Sequence, residues 1–322
     1  MARRPTIALY WCAGCGGCEE SVFDLAETLL DVYRQTRIVF WPAALDARYT
    51  DVEALADGEI DATFINGAIR LDHHLDMVRL LRKKSKCLIA HGACAGLGGV
   101  IGLGNLHTAG QLLDCAYRQA PSIAAPKGPL PGRNGGAEAS DPALPELLPA
   151  TLPLDRVVPV EASIPGCPPT ADIMAQVFEG IIAGHLPAKG TVYAHRKALC
   201  HGCPRLDTRP ERIEISRFQR LHETLWDPAV CFLPQGLICL GPVTRGGCDA
   251  RCIQANMPCR GCFGPTERMD DFGAGAISLI AGLMADGSEA DGRALIESIP
   301  DPTGLFYRYS LAASVLGKGR SS

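Results

Sequence analysis

Along the first half of the chain, short apolar runs alternate with stretches of helical periodicity. PTIALYW (residues 5–11) is apolar and short, as a buried strand is, and RIVFW (37–41), DATFING (61–67) and KCLIAH (86–91) repeat the pattern. Between the first two runs, Val22, Leu25, Ala26, Leu29 and Tyr33 recur at helical spacing and predict one helix. Leu75, Val78 and Leu81 mark another, which ends in Arg82, Lys83 and Lys84, where positive charge suits the helix dipole. VEASIPG (160–166) reads as a fifth strand. Pro169 then opens a helix running to Ala183, with Ile173, Met174, Val177, Phe178 and Ile181 on one face. This alternation predicts an α/β fold with a flavodoxin-like, doubly wound parallel sheet.

Two stretches break the rhythm. Residues 119–150 are rich in Pro, Gly and Ala (APKGPLPGRNGG) and read as an irregular surface loop or a partner-facing insertion. After His185 the character changes: residues 196–265 hold eight cysteines among many Gly and Pro, with little periodicity. Such a segment needs metal bonds in place of the missing regular structure. The expected organisation is an α/β domain over 1–185, an irregular iron–sulfur domain over 186–275 and a helical tail over 276–322, beginning with AISLIAGLMA.

Bulk composition narrows the partners. Apolar residues make up 47 % of the 322, enough for a core without disulfides. A net charge of −4 gives no footprint for nucleic acid or a polybasic membrane anchor. Arg3 and Arg4 resemble the start of an export signal, but TIALYW is too short for its apolar region and runs straight into a cysteine motif. No apolar run is long enough for a transmembrane helix. Fifteen cysteines, an odd number with several Cys-x-x-Cys pairs, point to metal in a reducing cytoplasm rather than to disulfides.

Twelve of those cysteines fall into three sets of four. Cys15 and Cys18 follow the first strand, Cys94 the fourth and Cys167 the fifth. Sites in doubly wound sheets form at the carboxyl ends of strands, so these four should converge. Cys200, Cys203, Cys231 and Cys239 form the second set, and Cys248, Cys252, Cys259 and Cys262 the third. Four thiolates are the ligand count of a cubane iron–sulfur cluster. Zinc is the rival, since four thiolates suit it equally well. Prolines beside ligands (Cys167-Pro168, Cys203-Pro204, Pro258-Cys259) and uneven loop spacing favour iron–sulfur. Cys12 also pairs with Cys15 at Cys-x-x-Cys spacing. Cys15 with Cys18 is preferred, because Gly16 and Gly17 free the backbone to approach a bulky group. Cys87 and Cys115 read as small core residues. His73 and His74 read as solvated and His107 as structural. His91 is a candidate hydrogen-bond donor to a cluster, and His201 an alternative ligand to Cys200. No phosphate loop, dinucleotide fingerprint or nucleophile elbow is present.

Taken together, WCAGCGGCEES, HGACAGLGG, IPGCPP, LCHGCPR and CLGPVTRGGCDARCIQANMPCRGCFGP resemble the cysteine motifs of [NiFe] hydrogenase small subunits. The resemblance covers most of the chain and is nearest to the cytoplasmic, F420-non-reducing (methyl-viologen-reducing) kind that serves heterodisulfide reductase. It implies a proximal cluster on Cys15, Cys18, Cys94 and Cys167, a distal one on Cys200, Cys203, Cys231 and Cys239, and a medial one on Cys248, Cys252, Cys259 and Cys262. Export-type relatives carry His at the position of Cys200 and proline in place of one medial cysteine. Cysteine at both positions implies three [4Fe-4S] clusters. Glu20 matches a family glutamate near the proximal cluster, with a role in proton movement or at the interface. The implied partners are a large subunit holding the nickel–iron centre and an iron–sulfur or flavin subunit that accepts the electrons. A hydrogen-sensing subunit or another iron–sulfur electron carrier is the alternative. The single-cluster subunit of proton-pumping quinone reductases lacks the eight-cysteine tail.

Overall fold

Eight strands form in the computed structural model, which describes residues 3–124, 128, 130, 144–284 and 289–317. They are β1 (Thr6–Trp11), β2 (Arg37–Phe40), β3 (Ile60–Asn66), β4 (Ile69–Leu71), β5 (Ser85–His91), β6 (Leu147–Leu152), β7 (Ala162–Ile164) and β8 (Thr191–Val192). Six make one parallel sheet in the order β2-β1-β3-β5-β7-β8. This is the flavodoxin-type order, and its direction reverses between β1 and β3. All five strands expected from the apolar runs lie in it.

Alternation along β1 shows how the two faces are built. Ile7 and Leu9 enter one apolar layer, with Phe64, Ile89, Met174 and Phe178, while Ala8 and Tyr10 enter the other, with Ile65, Leu88, Met77 and Leu81. Helices α1 (Gly17–Phe23) and α2 (Glu27–Gln35) lie on the first side. Helices α3 (Tyr49–Glu53), α4 (Asp72–Lys84) and α5 (Gly92–Leu97) contribute to the second. The short α6 (Ala109–Asp114) is capped by Thr108 and Gln111, and α7 (Ala171–Ile182) returns to the first side. Every residue of the apolar face expected for α7 is buried there.

Three expectations need correction. The single helix expected from Val22 to Tyr33 is two, because the backbone turns at Ala26 (φ 50°) between α1 and α2. Part of the expected loop over 119–150 is strand: β6 pairs antiparallel with β4, and Asn105 brackets Thr151 with two hydrogen bonds of 2.9 and 2.7 Å. Residues 125–127, 129 and 131–143 of that stretch lie outside the described residues. His74 is buried rather than solvated, and its Nδ1 accepts from the Arg70 backbone N–H at 3.3 Å.

The cysteine-rich half has its own apolar layer, from Leu199, Phe218, Phe232 and Leu240 to Phe306 and Leu311. Helix α8 (Arg251–Gln254) carries Cys252, and α9 (Phe272–Ala281) is the helix expected from AISLIAGLMA. Phe263 crosses into the first apolar layer of the sheet, and Cys248 and Cys262 pack against that layer. No helix among the described residues is long and apolar enough to cross a membrane.

Packing and burial each lead to a measurable outcome. Phe64 is fully buried and packs on Phe178 in a tilted pair with ring centroids 5.0 Å apart. Phe64→Ala should cost about 3–5 kcal/mol and lower the thermal midpoint; an unmoved midpoint would contradict this packing. Burial, with His73 nearby, pushes His74 down from 6.5 to about 4. Between those values the unfolded chain binds a proton that the folded chain does not. Stability should therefore fall as pH drops through that window, and His74→Gln should lessen the fall in a pH series of thermal scans.

Candidate metal centres

Loops after β1, β3, β5 and β7 meet at the switch point of the sheet. Cys15, Cys18, Cys94 and Cys167 line a cavity of about 70 Å³ there, together with Asn66, Ala93, Pro168 and the backbone of Gly14, Gly16, Gly17, Gly67 and Gly166. The Cys167–Pro168 peptide bond is cis. Close approach explains two further glycines. A Cβ on Gly92 (φ 86°) would lie 2.3 Å from the Cys18 sulfur, and one on Gly99 (φ 62°) would lie 2.2 Å from the Cys94 sulfur. The four thiols also act on one another. Burial first, then the neighbouring Cys94, Cys167 and Cys15, pushes the Cys18 thiol well above its ordinary range. Cys94 is pushed up to about 11 by burial, with Cys167 and Cys15 adding to it.

The second set converges without help from the sheet. Burial pushes Cys200 up to about 12, and Cys239, Cys203 and Cys231 all face it. Gly241 lies between Cys200 and Cys239: a Cβ there would be 3.4 and 3.6 Å from their sulfurs. The Arg205 backbone N–H donates to the Cys203 sulfur at 3.4 Å, and Thr208 Oγ1 accepts from the Cys231 N–H at 2.8 Å. His201, the alternative to Cys200, is exposed, with Nδ1 3.2 Å from the Ala198 carbonyl oxygen.

The third set lies between the other two. Burial pushes Cys262 up to about 12, with Cys248, Cys252 and Cys167 adding to it, while the Cys167 backbone N–H hydrogen-bonds its sulfur. At the other end, the Cys259 N–H donates to the Cys239 sulfur at 3.3 Å, and Cys239 raises the Cys259 thiol further after burial. The spatial order is therefore first, third, second. Among the described residues, no group of three or more His, Cys, Asp or Glu side chains is placed to hold a single metal ion. The first set instead rings a cavity edged by glycine backbone, a shape and donor set that fit a multi-iron cluster bonded at its corners.

The remaining cysteines lie apart from these groups. Cys12 is packed in the second apolar layer with Ile65 and Ile69 and does not line the cavity. Cys87 is buried among Phe64 and Ile89 as expected, and burial pushes its thiol up to about 12. Cys115 is exposed, not a core residue, because α6 and the turn after it present that side to solvent. His107 is exposed too. His91 is fully buried and pushed down to about 3 by that burial. Its Nε2 meets Ser21 Oγ at 3.1 Å, and Ser21 Oγ donates to the Cys18 carbonyl at 2.7 Å, so the ring braces the cysteine loop through Ser21.

Glu19 is a buried bracing residue that spacing alone does not single out. Glu20 is exposed on α1, whereas its neighbour Glu19 is 5 % exposed. Trp41 Nε1 and Asn66 Nδ2 each donate to the Glu19 carboxylate at 2.5 Å, tying the loop after β1 to the ends of β2 and β3. Its one local signal is its place directly after Cys18.

Comparison with known proteins agrees with this architecture. Residues 15–181 match the family model described as NADH ubiquinone oxidoreductase, 20 Kd subunit. The chain is 38 % identical to the iron–sulfur subunit of the F420-non-reducing hydrogenase of Archaeoglobus profundus, with 95 % of each chain covered. It is 33 % identical to a subunit of the F420-non-reducing hydrogenase of Methanothermobacter marburgensis, covering 98 % of this chain and 97 % of the relative. In fold it is similar to a [NiFeSe] hydrogenase chain of Desulfomicrobium baculatum (TM-score 0.53, 17 % identity, 88 % of this chain and all of that one). The family model covers the α/β part, and the hydrogenase relatives cover the cysteine-rich half as well. The chain belongs to the small subunits of [NiFe] hydrogenases, of the F420-non-reducing kind: the iron–sulfur subunit of an oxidoreductase, paired with a hydrogenase large subunit.

Proposed function

We propose that this chain takes electrons, one at a time, from H2 oxidation at a nickel–iron centre in its large-subunit partner and carries them through three [4Fe-4S] clusters to a further redox protein. The observation that carries the reading is the row of three four-thiol groups, linked by the Cys167–Cys262 and Cys239–Cys259 contacts. Cys15, Cys18, Cys94 and Cys167 hold the proximal cluster. Cys248, Cys252, Cys259 and Cys262 hold the medial one, and Cys200, Cys203, Cys231 and Cys239 the distal one. Bound there, four-iron clusters supply one-electron chemistry, at potentials set by burial, charge and hydrogen bonds to sulfur.

The chain's own residues set those conditions. Buried Cys239 and Cys259 keep water from the middle of the row. N–H groups aimed at the Cys239 and Cys262 sulfurs favour their thiolate forms. The face that receives the large subunit is the mouth of the first cavity, where Cys15 and Cys167 are exposed and Trp11 is 44 % exposed. Exposed Glu20 on α1 fits a role at that interface or in proton movement, whereas the Glu19 carboxylate is occupied by Trp41 and Asn66. The acceptor, an iron–sulfur or flavin protein linked to heterodisulfide reductase, docks beside the second set. A reducing cytoplasm keeps the thiols free for metal.

Elemental analysis of the complex, purified without oxygen, tests this. About twelve irons per chain are expected, with about one nickel per complex. Iron without nickel would remove the hydrogenase role, and zinc with little iron would overturn the electron path. Gly92→Ala should displace the Cys18 sulfur and lower the iron by about four per chain while the other clusters' signals persist. Full iron in that variant would contradict the assignment of Cys18.

A further inference from the structure

Arg205 is a cation where an isolated cation is strongly disfavoured. It follows Cys203 by two residues and is only 5 % exposed. Its guanidinium carbon lies 4.1 Å from the centroid of the Phe232 ring and 5.8 Å from that of Trp226. Its N–H groups donate to the carbonyls of Val230 (3.4 Å) and Ile253 (3.3 Å) and to Asn256 Oδ1 (2.8 Å). All of these acceptors are neutral. Among the described residues, no carboxylate pairs with it. Ring faces and carbonyls offset part of the desolvation, but a buried charge is kept only where a counter-charge answers it.

The acceptors show where that counter-charge belongs. Val230 directly precedes Cys231, and Ile253 directly follows Cys252. The backbone N–H of Arg205 itself reaches the Cys203 sulfur. One side chain thus ties the loops of the second and third sets together. A four-iron cluster on four thiolates is an anion, and reduction adds one more negative charge.

We propose that Arg205 is the buried counter-charge of the cluster held by the second cysteine set, a positioning residue that raises that cluster's potential and fixes the third set's loop against it. This rests on the reading that the second set holds a cluster. A fixed cation stabilises the reduced state more than the oxidised one, so its removal makes reduction harder.

The test is a redox titration followed by electron paramagnetic resonance, on the intact anaerobic complex carrying Arg205→Gln or Arg205→Lys. Arg205→Gln should make reduction of one cluster at least tenfold less favourable, about 59 mV for one electron. The proximal signal should not move, and Arg205→Lys, which keeps the charge, should stay within threefold of wild type. Unmoved potentials in Arg205→Gln, or equal shifts in both variants, would overturn the proposal. If Arg205→Gln loses its iron, Arg205→Lys decides: full iron at the wild-type potential upholds it, and loss in both overturns it. A wild-type complex with a single cluster would instead sink the assignment of the second set, a failure separable from that of Arg205.

Discussion

Crowded, buried thiols resist ionisation, and the rest of this structure is arranged around that resistance. Burial pushes Cys18, Cys94, Cys200, Cys259 and Cys262 up, and each stands among other thiols that push it further. A metal binds the thiolate, so loading each set must release protons that the empty chain holds tightly. Fixed dipoles and cations lower the cost. They include the N–H groups aimed at Cys239 and Cys262, and the guanidiniums of Arg209 and Arg205 facing Cys231. The same groups that make the thiolates attainable go on to tune the potential of whatever they bind.

The α/β half meets the constraint by topology. Parallel strands deliver all their carboxyl ends to one edge, so four cysteines separated by as many as 152 positions reach one cavity (167 − 15). Chain near the sulfurs must be thin, hence glycine at positions 92 and 99. Glu19 and the Ser21–His91 pair then lock the loop from beneath. The locks lie on the side away from solvent, which leaves Cys15 and Cys167 exposed for a partner.

Most of this half could be read from the chain. Apolar runs marked all five longer sheet strands, and α7 showed its buried face through Ile173, Val177 and Phe178. What escaped lacks a local signature. Ala26 carries no turn chemistry, yet the chain turns there, because packing of α1 and α2 against α7 outweighs its helical preference. Strand β6 (LLPATL) hides behind a proline, which an outer two-stranded pairing tolerates. The burial of His74 comes from packing that its spacing does not show, and Cys115 lies on the solvent-facing side of the turn after α6. Glu19 and Glu20 are chemically identical, and only the helical phase of α1 separates the bound carboxylate from the free-facing one.

In the cysteine-rich half, the sequence announced the chemistry but not the wiring. Spacing grouped the eight cysteines, yet nothing local says that the later set lies between the other two. That order comes from two contacts made by its last two members: Cys262 reaches back to Cys167, and Cys259 reaches Cys239. Gly261 makes the double reach possible. It sits between them at φ 94°, and a Cβ there would fall 2.4 Å from the Phe272 ring. The turn can press against α9 while one flanking cysteine faces each neighbouring set. The joint between the halves is therefore also where the third cysteine set meets the other two. A disturbance of how the halves pack, at Phe263 for instance, would act at once on the first apolar layer and on Cys248 and Cys262 packed against it.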